Sequence, residues 1–329
     1  MKMNYKQLGN TDMKISELSF GTWAMGSDWG NVSVEDAKQA IHYAINQGVN
    51  FFDTADVYGM GKSEQILGEV LKERTERIYI ATKFGRKDDF TNPDNYTYEK
   101  VKSYAQNSLK NLGVDSIDLY QIHCPSTEIL EQLAVFDVLE KLQKEGLIRY
   151  YGVSVETDAQ GEFVLNHTKA SSLQVIVNML RQKPIDQMIK LAEQKHVGVL
   201  ARVPLASGLL TGKYTVNSVF PENDHRNYNQ NGEAFNVGET FGGLPFKKGI
   251  ELVNQLEWIK EERISMPVAA LKWVVQQKGI TAAIPGFKNI QQVKSNLEVF
   301  NAKDYSDEEL TRLKEFYWNE VHDYIRGDY

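Results

Sequence analysis

Val49-Asn50-Phe51-Phe52-Asp53 is a short apolar run that ends on a carboxylate, and the same form recurs twice further along the chain. The second and third runs end at Lys83 and at His123. Each run is followed by a helical pattern, which is typical of strands buried on both faces of a parallel sheet. Because the carboxyl ends of such strands meet at one rim, we expect these three ionisable side chains to lie together there. Tyr58, in the loop after the first run, can reach the same rim.

Composition and charge narrow the class of protein. Of the 329 residues 42% are hydrophobic, which is enough for the core of a globular chain. The 44 acidic and 37 basic residues are scattered in both signs and give a net charge of −7, so the chain lacks the basic stripe that nucleic-acid binding requires. We therefore expect no nucleic-acid partner.

Targeting and metal-binding signals are also missing from the sequence. The first residues carry no apolar signal core, and no stretch approaches the ~18 uninterrupted apolar residues of a membrane-spanning helix. The single cysteine, Cys124, excludes an internal disulfide framework and a multi-cysteine metal site, and the histidines other than His123 have no metal-ligand spacing. We expect a cytoplasmic protein with no membrane partner and no metal.

Strand and helix patterns alternate along the whole chain. The predicted strands cover residues 18–22, 49–53, 78–83, 117–123, 150–154, 173–178, 198–203 and 281–285. The predicted helices cover residues 34–47, 63–74, 98–112, 130–145, 159–168, 185–195 and 266–277. Two shorter runs at 5–8 and 13–16 flank a turn and predict an N-terminal β-hairpin. Eight strands with intervening helices indicate an α/β fold, a (β/α)8 TIM barrel that forms one domain over residues 1–329.

One segment breaks this alternation. Residues 205–244 form a run of about 40 residues rich in Asn, Gly, Pro and Glu, and loops that long inside a compact domain are usually functional or disordered. The segment follows the seventh predicted strand, so we expect a long loop at the same rim as the ionisable side chains.

The rim side chains suggest proton transfer to a carbonyl oxygen. A free tyrosine has a pKa of about 10, so Tyr58 becomes a useful acid only if a cation such as Lys83 stabilises its phenolate. A buried lysine tends to lose its proton unless a carboxylate such as Asp53 holds the charge in place. His123 can orient a carbonyl group by donating a hydrogen bond to its oxygen. Reduction also needs a hydride donor, which no side chain provides.

Six segments resemble the aldo-keto reductase superfamily in their residues, order and spacing, and the resemblance covers nearly the whole chain. The segments are Gly21-Thr22-Trp23, Asp53-Thr54-Ala55-Asp56-Val57-Tyr58-Gly59, Ala81-Thr82-Lys83, Asp118-Leu119-Tyr120-Gln121-Ile122-His123, Gly152-Val153-Ser154 and Ile284-Pro285-Gly286. The resemblance implies a (β/α)8 barrel, NADPH/NADP+ as the cofactor, and a catalytic tetrad that falls on Asp53, Tyr58, Lys83 and His123. The short opening loop and Gly208-Leu209-Leu210-Thr211-Gly212-Lys213 look most like the branch that holds bacterial and potassium-channel β-subunit reductases.

The resemblance also implies where the cofactor binds. Ser154 and Gln174 match residues that hold the nicotinamide carboxamide, and the segment from Ser207 to Lys213 would surround the pyrophosphate with main-chain N–H groups and one ammonium. Residues 288–296 look like the adenosine 2′-phosphate and adenine site. The full set of implied cofactor residues is Gly21, Thr22, Trp23, Ser154, Gln174, Arg202, Pro204, Leu205, Ser207, Gly208, Leu210, Gly212, Lys213, Gly286, Lys288, Gln292 and Asn296.

Four positions depart from the family pattern, and one of them is Val155, where relatives often have asparagine after the serine of the fifth strand. Many relatives have arginine where this chain has Gln292, which leaves Lys288 as the only cation of the 2′-phosphate motif. Arg202 replaces an aromatic side chain that often covers the nicotinamide, and it either forms a structural ion pair or lies flat against the nicotinamide ring. Cys124 replaces a tryptophan that often follows the catalytic histidine. The expected substrate-pocket residues are Trp23, Met25, Trp29 and Cys124.

Together these features predict an NADPH-dependent oxidoreductase that reduces aldehydes or ketones to alcohols by direct hydride transfer, with Tyr58 as the general acid. Two other functions stay open. Some members of the fold are regulatory or sensor subunits that bind the cofactor and turn over slowly. An NAD-linked sugar or polyol dehydrogenase would differ from the predicted enzyme in direction and in cofactor.

Overall fold

The computed structural model describes residues 2–26 and 32–329, and its first element is a β-hairpin. Strand β1 (Tyr5–Gln7) pairs antiparallel with β2 (Lys14–Ser16). A Cβ atom on Gly9, in the turn, would lie 2.6 Å from the backbone nitrogen of Gly198, the first residue of a barrel strand. The hairpin therefore covers the end of the barrel at which the strands begin. Its buried contacts join Leu8, Met13 and Ile15 to Phe51, Ala81, Leu119, Leu200 and Ala282 inside the barrel.

Within residues 2–26 and 32–329, eight parallel strands form the barrel, and each pairs with the next in chain order. They are β3 (Phe20–Gly21), β4 (Phe51–Asp53), β5 (Tyr79–Phe84), β6 (Ile117–His123), β7 (Ile148–Ser154), β8 (Ser172–Ile176), β9 (Gly198–Arg202) and β10 (Ala282–Ile284). Two parallel bridges, from Leu18 to Ala283 and from Gly21 to Gly286, join the first and last strands. These bridges close the sheet into a barrel, and most residues of its strands are buried.

Helices surround the barrel, and most of them contribute apolar side chains to the hydrophobic core. They are α1 (Val34–Asn46), α2 (Lys62–Leu71), α3 (Tyr98–Leu112), α4 (Thr127–Glu131), α5 (Ala134–Lys144), α6 (Asp158–His167), α7 (Met188–Gln194), α8 (His225–Tyr228), α9 (Phe246–Asn254), α10 (Met266–Gln276), α11 (Ile290–Leu297) and α12 (Asp307–Phe316). Helix α1 begins after Ser33, whose hydroxyl accepts the Asp36 N–H at 3.0 Å, and α3 ends at Gly113 with a left-handed φ of 68°. Within the described ranges, none of the helices combines the length and the apolar composition needed to cross a membrane.

The structure confirms the predicted α/β barrel and the N-terminal hairpin, and it changes several element boundaries. The helix predicted over 130–145 is divided into α4 and α5, because Leu133 between them has a left-handed φ of 59°. The helix predicted over 185–195 is shortened to α7 by a 3-10 turn at Lys183–Ile185. The predicted helix ranges do not include α8, α9, α11 or α12.

The long segment 205–244 is a structured loop at the carboxyl end of the barrel. It contains short helical turns, including one over Ala206–Thr211 that is interrupted where Ser207 and Gly208 take positive φ values of 53° and 94°. Asn229 holds a turn closed, since its side-chain oxygen accepts the backbone N–H groups of Ala234 and Phe235 at 2.8 and 2.9 Å. The loop thus presents fixed side chains to the rim.

Candidate active site

The strand register brings Asp53 and Lys83 to the same side of the sheet. Asp53 pairs with Ala81, and Lys83 follows two residues later on β5, so both side chains point into the barrel. Asp53 is 3% exposed and Lys83 is fully buried. Two opposite charges thus lie inside the carboxyl end of the barrel, where each needs the other as a partner.

Lys83 is held by three oxygen atoms. Its Nζ donates to Asp53 Oδ1 at 2.5 Å, to the Thr54 carbonyl at 2.9 Å and to the Tyr58 hydroxyl at 3.4 Å. Burial acts to lower the pKa of Lys83, but the charge of Asp53 and these hydrogen bonds outweigh burial, and the pKa is raised. Lys83 therefore stays positively charged at neutral pH, next to the phenol.

The second oxygen of the Asp53 carboxylate is fixed by two amides. Gln121 Nε2 donates to Oδ2 at 3.2 Å, and Gln174 Nε2 donates to it at 2.8 Å. Gln174 was predicted from the family resemblance to hold the nicotinamide carboxamide, and here its amide nitrogen is bonded to Asp53. The carboxylate is consequently locked in the orientation that faces Lys83.

Tyr58 lies in the turn after β4 and projects into the same space. Its ring stacks on Trp23 with the centroids 6.0 Å apart and meets the His123 ring edge-on at 5.8 Å. Burial raises the pKa of Tyr58 to about 12, although the Lys83 ammonium acts in the opposite direction. The sequence predicts the effect of the Lys83 charge on this pKa, whereas the effect of burial depends on the tertiary structure. The phenol is protonated at neutral pH and can donate that proton.

His123 ends β6 and is 5% exposed. Burial, together with the charges of Arg86, Lys83 and Arg202, holds the pKa of His123 well below its ordinary value of 6.5. Among the described residues, Nδ1 of the ring has no hydrogen-bond partner. A neutral imidazole carries one N–H, so His123 can donate one hydrogen bond to an oxygen atom in front of it.

Two arginines and two glutamates form an ion-pair network beside His123. Arg86 donates to Glu239 Oε1 at 2.8 Å and to Glu156 Oε1 at 3.0 Å. Arg202 Nη1 lies 3.4 Å from the same Glu239 oxygen. Burial opposes the charge on Glu239, but Arg86 and Arg202 outweigh burial and lower its pKa. Arg202 therefore has the ion-pair partner that an arginine on an apolar strand requires.

Cys124 lies next to this network. Its Sγ is 3.5 Å from Arg202 Nη2, and burial raises the pKa of the thiol. Cys124, Glu156 and Glu239 bring three potential ligand atoms within 4.8 Å of one another. Both carboxylates already pair with Arg86, and a metal ion there would face that positive charge. We therefore assign no metal to the cluster.

A cavity of about 310 Å³ extends from the tetrad to the segment after β10. Lys83 lies beneath this cavity and donates hydrogen bonds to two residues that line it, Asp53 and Tyr58. The predicted site residues that line the cavity are Gly21, Thr22, Trp23, Asp53, Tyr58, His123, Gln174, Arg202, Pro204, Leu205, Ser207, Gly208, Lys213, Gly286, Lys288, Gln292 and Asn296. The lining residues that the sequence analysis missed are Ala24, Val203, Thr211, Tyr214, Arg226, Glu239, Pro267, Ile284, Pro285 and Ser295.

The predicted substrate-pocket residues divide into three groups. Trp23 lines the cavity, whereas Met25 at the end of the same 3-10 turn packs into the hydrophobic core, because successive residues of such a turn point in different directions. Cys124 does not line the cavity and lies 3.3 Å from the Ser154 hydroxyl, which likewise does not reach it. Trp29 lies outside the described residues.

Two residues of the predicted pyrophosphate segment also do not line the cavity. Leu210 is fully buried in the core, and Gly212 ends the helical turn with a φ of 69°. Leu209 is also buried in the core, so three of the seven residues from 207 to 213 do not line the cavity. A sequence motif of small residues cannot show which of its members face a ligand.

Three cationic side chains line the far end of the cavity: Lys213, Arg226 and Lys288. Burial lowers the pKa of Lys288, and the charges of Arg226 and Lys213 act in the same direction. Arg226 also donates to Asp224, at 2.8 Å from Nε and 2.5 Å from Nη2. An anionic group would relieve the repulsion between these cations, so this end fits the phosphates of a nucleotide. Sequence reasoning missed Arg226 because the surrounding loop has no periodicity.

A further carboxyl group, Asp56, is buried behind the tetrad. It is 4% exposed, and among the described residues neither of its carboxyl oxygens has a hydrogen-bond partner. Its backbone N–H donates to the Lys83 carbonyl at 3.2 Å. Burial raises the pKa of Asp56 to about 7, and the charge of Glu64 adds to this effect. Asp56 therefore gains its proton at a much higher pH in the folded state than in the unfolded state.

We expect Asp56→Asn to stabilise the protein at pH 8 and to have little effect at pH 4. Between the ordinary pKa of 3.8 and the folded value of about 7, the folded state binds a proton that the unfolded state has lost. The stability of the parent therefore falls as the pH rises through this window, and the loss is complete above it. The melting temperature of the variant should exceed that of the parent by several degrees at pH 8. The exposed Asp115→Asn is the control, and equal shifts at both pH values would contradict the burial of an unpaired Asp56.

Comparison with known proteins gives one consistent result. The model of the aldo/keto reductase family matches residues 17–317. Aldo-keto reductase YhdN of Bacillus subtilis (strain 168) is 29% identical over 318 residues, which cover 93% of this chain and 92% of that protein. The NADH-specific methylglyoxal reductase of Escherichia coli (strain K12) is 29% identical over 330 residues, covering 94% and 96%. The solved structure of glycerol dehydrogenase AKR11B4 from Gluconobacter oxydans has a TM-score of 0.78 at 26% identity and covers 100% of this chain and 99% of its own.

Proposed function

The chain belongs to the aldo/keto reductase family, and we propose that it is an NADPH-dependent oxidoreductase that reduces aldehydes or ketones to alcohols. The position of Lys83 supports this proposal, because its ammonium is bound to Asp53 and lies 3.4 Å from the Tyr58 hydroxyl. A phenol beside a buried cation, at the edge of a cavity, suits proton donation to a carbonyl oxygen. The proposed catalytic residues are Asp53, Tyr58, Lys83 and His123.

The cavity has features that a nicotinamide dinucleotide requires. The cations Lys213, Arg226 and Lys288 can bind its phosphates, because an anionic group relieves the repulsion between their charges. A Cβ atom on Gly286 would meet no other atom within 4 Å, so the backbone there leaves open space for the nucleotide. We propose that Arg202 lies beside the nicotinamide, with its charge compensated by Glu239. When bound, the cofactor supplies the hydride that the side chains cannot.

Each member of the tetrad has a separate proposed task. Tyr58 donates its proton to the carbonyl oxygen as that oxygen gains negative charge. Lys83 stabilises the phenolate that remains, and Asp53 keeps Lys83 charged by outweighing its burial. His123, neutral at physiological pH, donates a hydrogen bond that orients the carbonyl towards the phenol.

A panel of small aldehydes and ketones, assayed with NADPH and NADH in parallel, tests the proposed function. We expect turnover above about one per second with at least one carbonyl compound. A regulatory or sensor subunit would bind the cofactor tightly and turn over far more slowly. An NAD-linked sugar or polyol dehydrogenase would prefer NAD+ and an alcohol, so the panel includes the reverse reaction.

Replacement of Lys288 tests the choice of cofactor. We expect Lys288→Ala to weaken NADPH binding by about 1–2 kcal/mol, the scale of one charge-assisted hydrogen bond, and to leave NADH binding almost unchanged. Fluorescence titration of both cofactors measures the two effects. Lys294→Ala is a matched control, since the Lys294 ammonium lies 5.3 Å from the centre of the Tyr43 ring and does not line the cavity.

Equal losses of NADPH and NADH affinity in Lys288→Ala would show that Lys288 does not bind the 2′-phosphate. The same titration also tests whether NADH, rather than NADPH, is the cofactor. The Escherichia coli relative is described as NADH-specific, and Gln292 offers no charge to a 2′-phosphate in this chain. If the parent protein binds NADH more tightly than NADPH, NADH takes the place of NADPH in the proposed function.

A further inference from the structure

A short segment, residues 325–329, crosses the part of the long loop that borders the cavity. We name residues 325–329 the strap and residues 229–244 the mouth loop. Arg326 of the strap makes most of the contacts, through its guanidinium and its backbone N–H. Its acceptors, at 2.9–3.2 Å, are Gln230 O, Asn231 Oδ1, Gly243 O and Leu244 O. One side chain therefore ties both ends of the mouth loop together.

The rest of the strap covers a buried cation that also holds the mouth loop. Arg181 is 2% exposed, and its Nη1 donates to the Gly242 carbonyl at 3.1 Å. The Tyr329 ring covers the Arg181 guanidinium at 4.1 Å, and burial lowers the pKa of Arg181 to about 10. Tyr329 is fixed in turn, because Lys183 Nζ donates to its backbone oxygen at 2.6 Å and its hydroxyl lies 2.7 Å from that of Tyr317.

The mouth loop connects these contacts to the cavity. Glu239 pairs with Arg202 at 3.4 Å, and its carbonyl accepts a hydrogen bond from the Ser207 hydroxyl at 2.9 Å. The Phe235 ring lies 6.0 Å from that of Trp23, which stacks on the proposed proton donor. None of the described strap residues lines the cavity. Among the described residues, the strap is therefore linked to the cavity through the mouth loop.

We propose that the strap fixes the position of the mouth loop beside Trp23 and Arg202, and that Arg326 thereby sets the apparent affinity for the carbonyl substrate. The inference rests on the proposed function, because it concerns the substrate of that site. The mouth loop consists of turns rather than barrel strands, so its position depends on side-chain contacts such as those of Arg326. If the loop holds this position for a smaller fraction of the time, the apparent dissociation constant of the substrate rises in inverse proportion to that fraction.

The test compares Arg326→Ala and Arg326→Lys with the parent. Arg326→Ala should raise KM for the carbonyl substrate about tenfold and change kcat by less than about threefold, because the tetrad is untouched. Hydrogen exchange should accelerate in residues 229–244 and stay unchanged in the barrel strands. Arg326→Lys, which retains one donor group, should show an intermediate effect. Arg312→Ala is the control, since the Arg312 guanidinium lies 4.1 Å from the centre of the Trp258 ring, which is outside the mouth loop.

An unchanged KM and unchanged exchange in Arg326→Ala would overturn the proposal. A lower kcat with faster exchange throughout the barrel would also overturn it, because that result describes general destabilisation. Hydrogen exchange needs no turnover, so it tests the strap even if no carbonyl compound is reduced. Faster exchange confined to residues 229–244, without turnover, would support the positioning role while contradicting the proposed function.

Discussion

Tyr58→Phe should reduce carbonyl turnover at least ~10²-fold while leaving NADPH affinity nearly unchanged. The phenylalanine ring can keep the contacts with Trp23 and His123, whereas the hydroxyl 3.4 Å from Lys83 Nζ is lost. Without that hydroxyl, the carbonyl oxygen has no neighbouring acid in the proposed mechanism. Steady-state rates at saturating NADPH and a fluorescence titration of NADPH measure the two effects.

Tyr120→Phe is a matched control for this substitution. The Tyr120 hydroxyl is buried and has no hydrogen-bond partner among the described residues, and Tyr120 does not line the cavity. Its removal should leave turnover close to that of the parent. Retained turnover in Tyr58→Phe would remove Tyr58 from the mechanism, whatever the control shows.

Lys83→Met should be comparably damaging, with at least ~10²-fold slower reduction, because the phenolate of Tyr58 loses its stabilising charge. The substitution also leaves Asp53 as a buried carboxylate without its cation, and breaking such a pair typically costs about 3–5 kcal/mol of stability. Thermal unfolding and steady-state rates, measured on the same preparation, report the two effects separately. A folded Lys83→Met protein with a near-normal rate would contradict the relay.

A double variant separates loss of chemistry from loss of stability. Asp53→Asn/Lys83→Met removes both charges, and the amides of Gln121 and Gln174 can still bond the side-chain oxygen of the asparagine. We expect the double variant to regain much of the melting temperature that Lys83→Met loses, yet to remain as inactive. Recovery of turnover together with stability would show that Lys83 acts through folding and not through the phenol.

The predicted tetrad illustrates why part of the site could be found from sequence. Asp53, Lys83 and His123 each end or nearly end a strand, and the strand patterns are local features with a short period. In a parallel barrel, strand ends from distant segments necessarily meet at one rim. The structure places Tyr58 there as well, within reach of Lys83.

Other parts of the site depend on contacts that no local pattern predicts. Arg86 and Glu239 are 153 residues apart in sequence and form one hydrogen bond at 2.8 Å. Arg226 lies in a loop without periodicity, and its place at the cavity follows from the path of that loop. Met25 follows two residues after Trp23, yet the 3-10 turn directs it into the core. Sequence reasoning treated such neighbours as equivalent because it had no information on side-chain direction.

The sequence by itself determined the barrel, the N-terminal hairpin, and the rim at which the four proposed catalytic side chains lie. These follow from apolar periodicity and from the geometry of parallel strands, which are properties of short segments. Only the tertiary structure decided the protonation states of the buried side chains and the position of the mouth loop beside the cavity. Burial raises the pKa of Tyr58 and of Asp56, and it does so through atoms from several elements at once. The mouth loop is likewise held by Arg326, 83 residues from Gly243, since loop positions depend on side-chain contacts between segments that sequence does not relate.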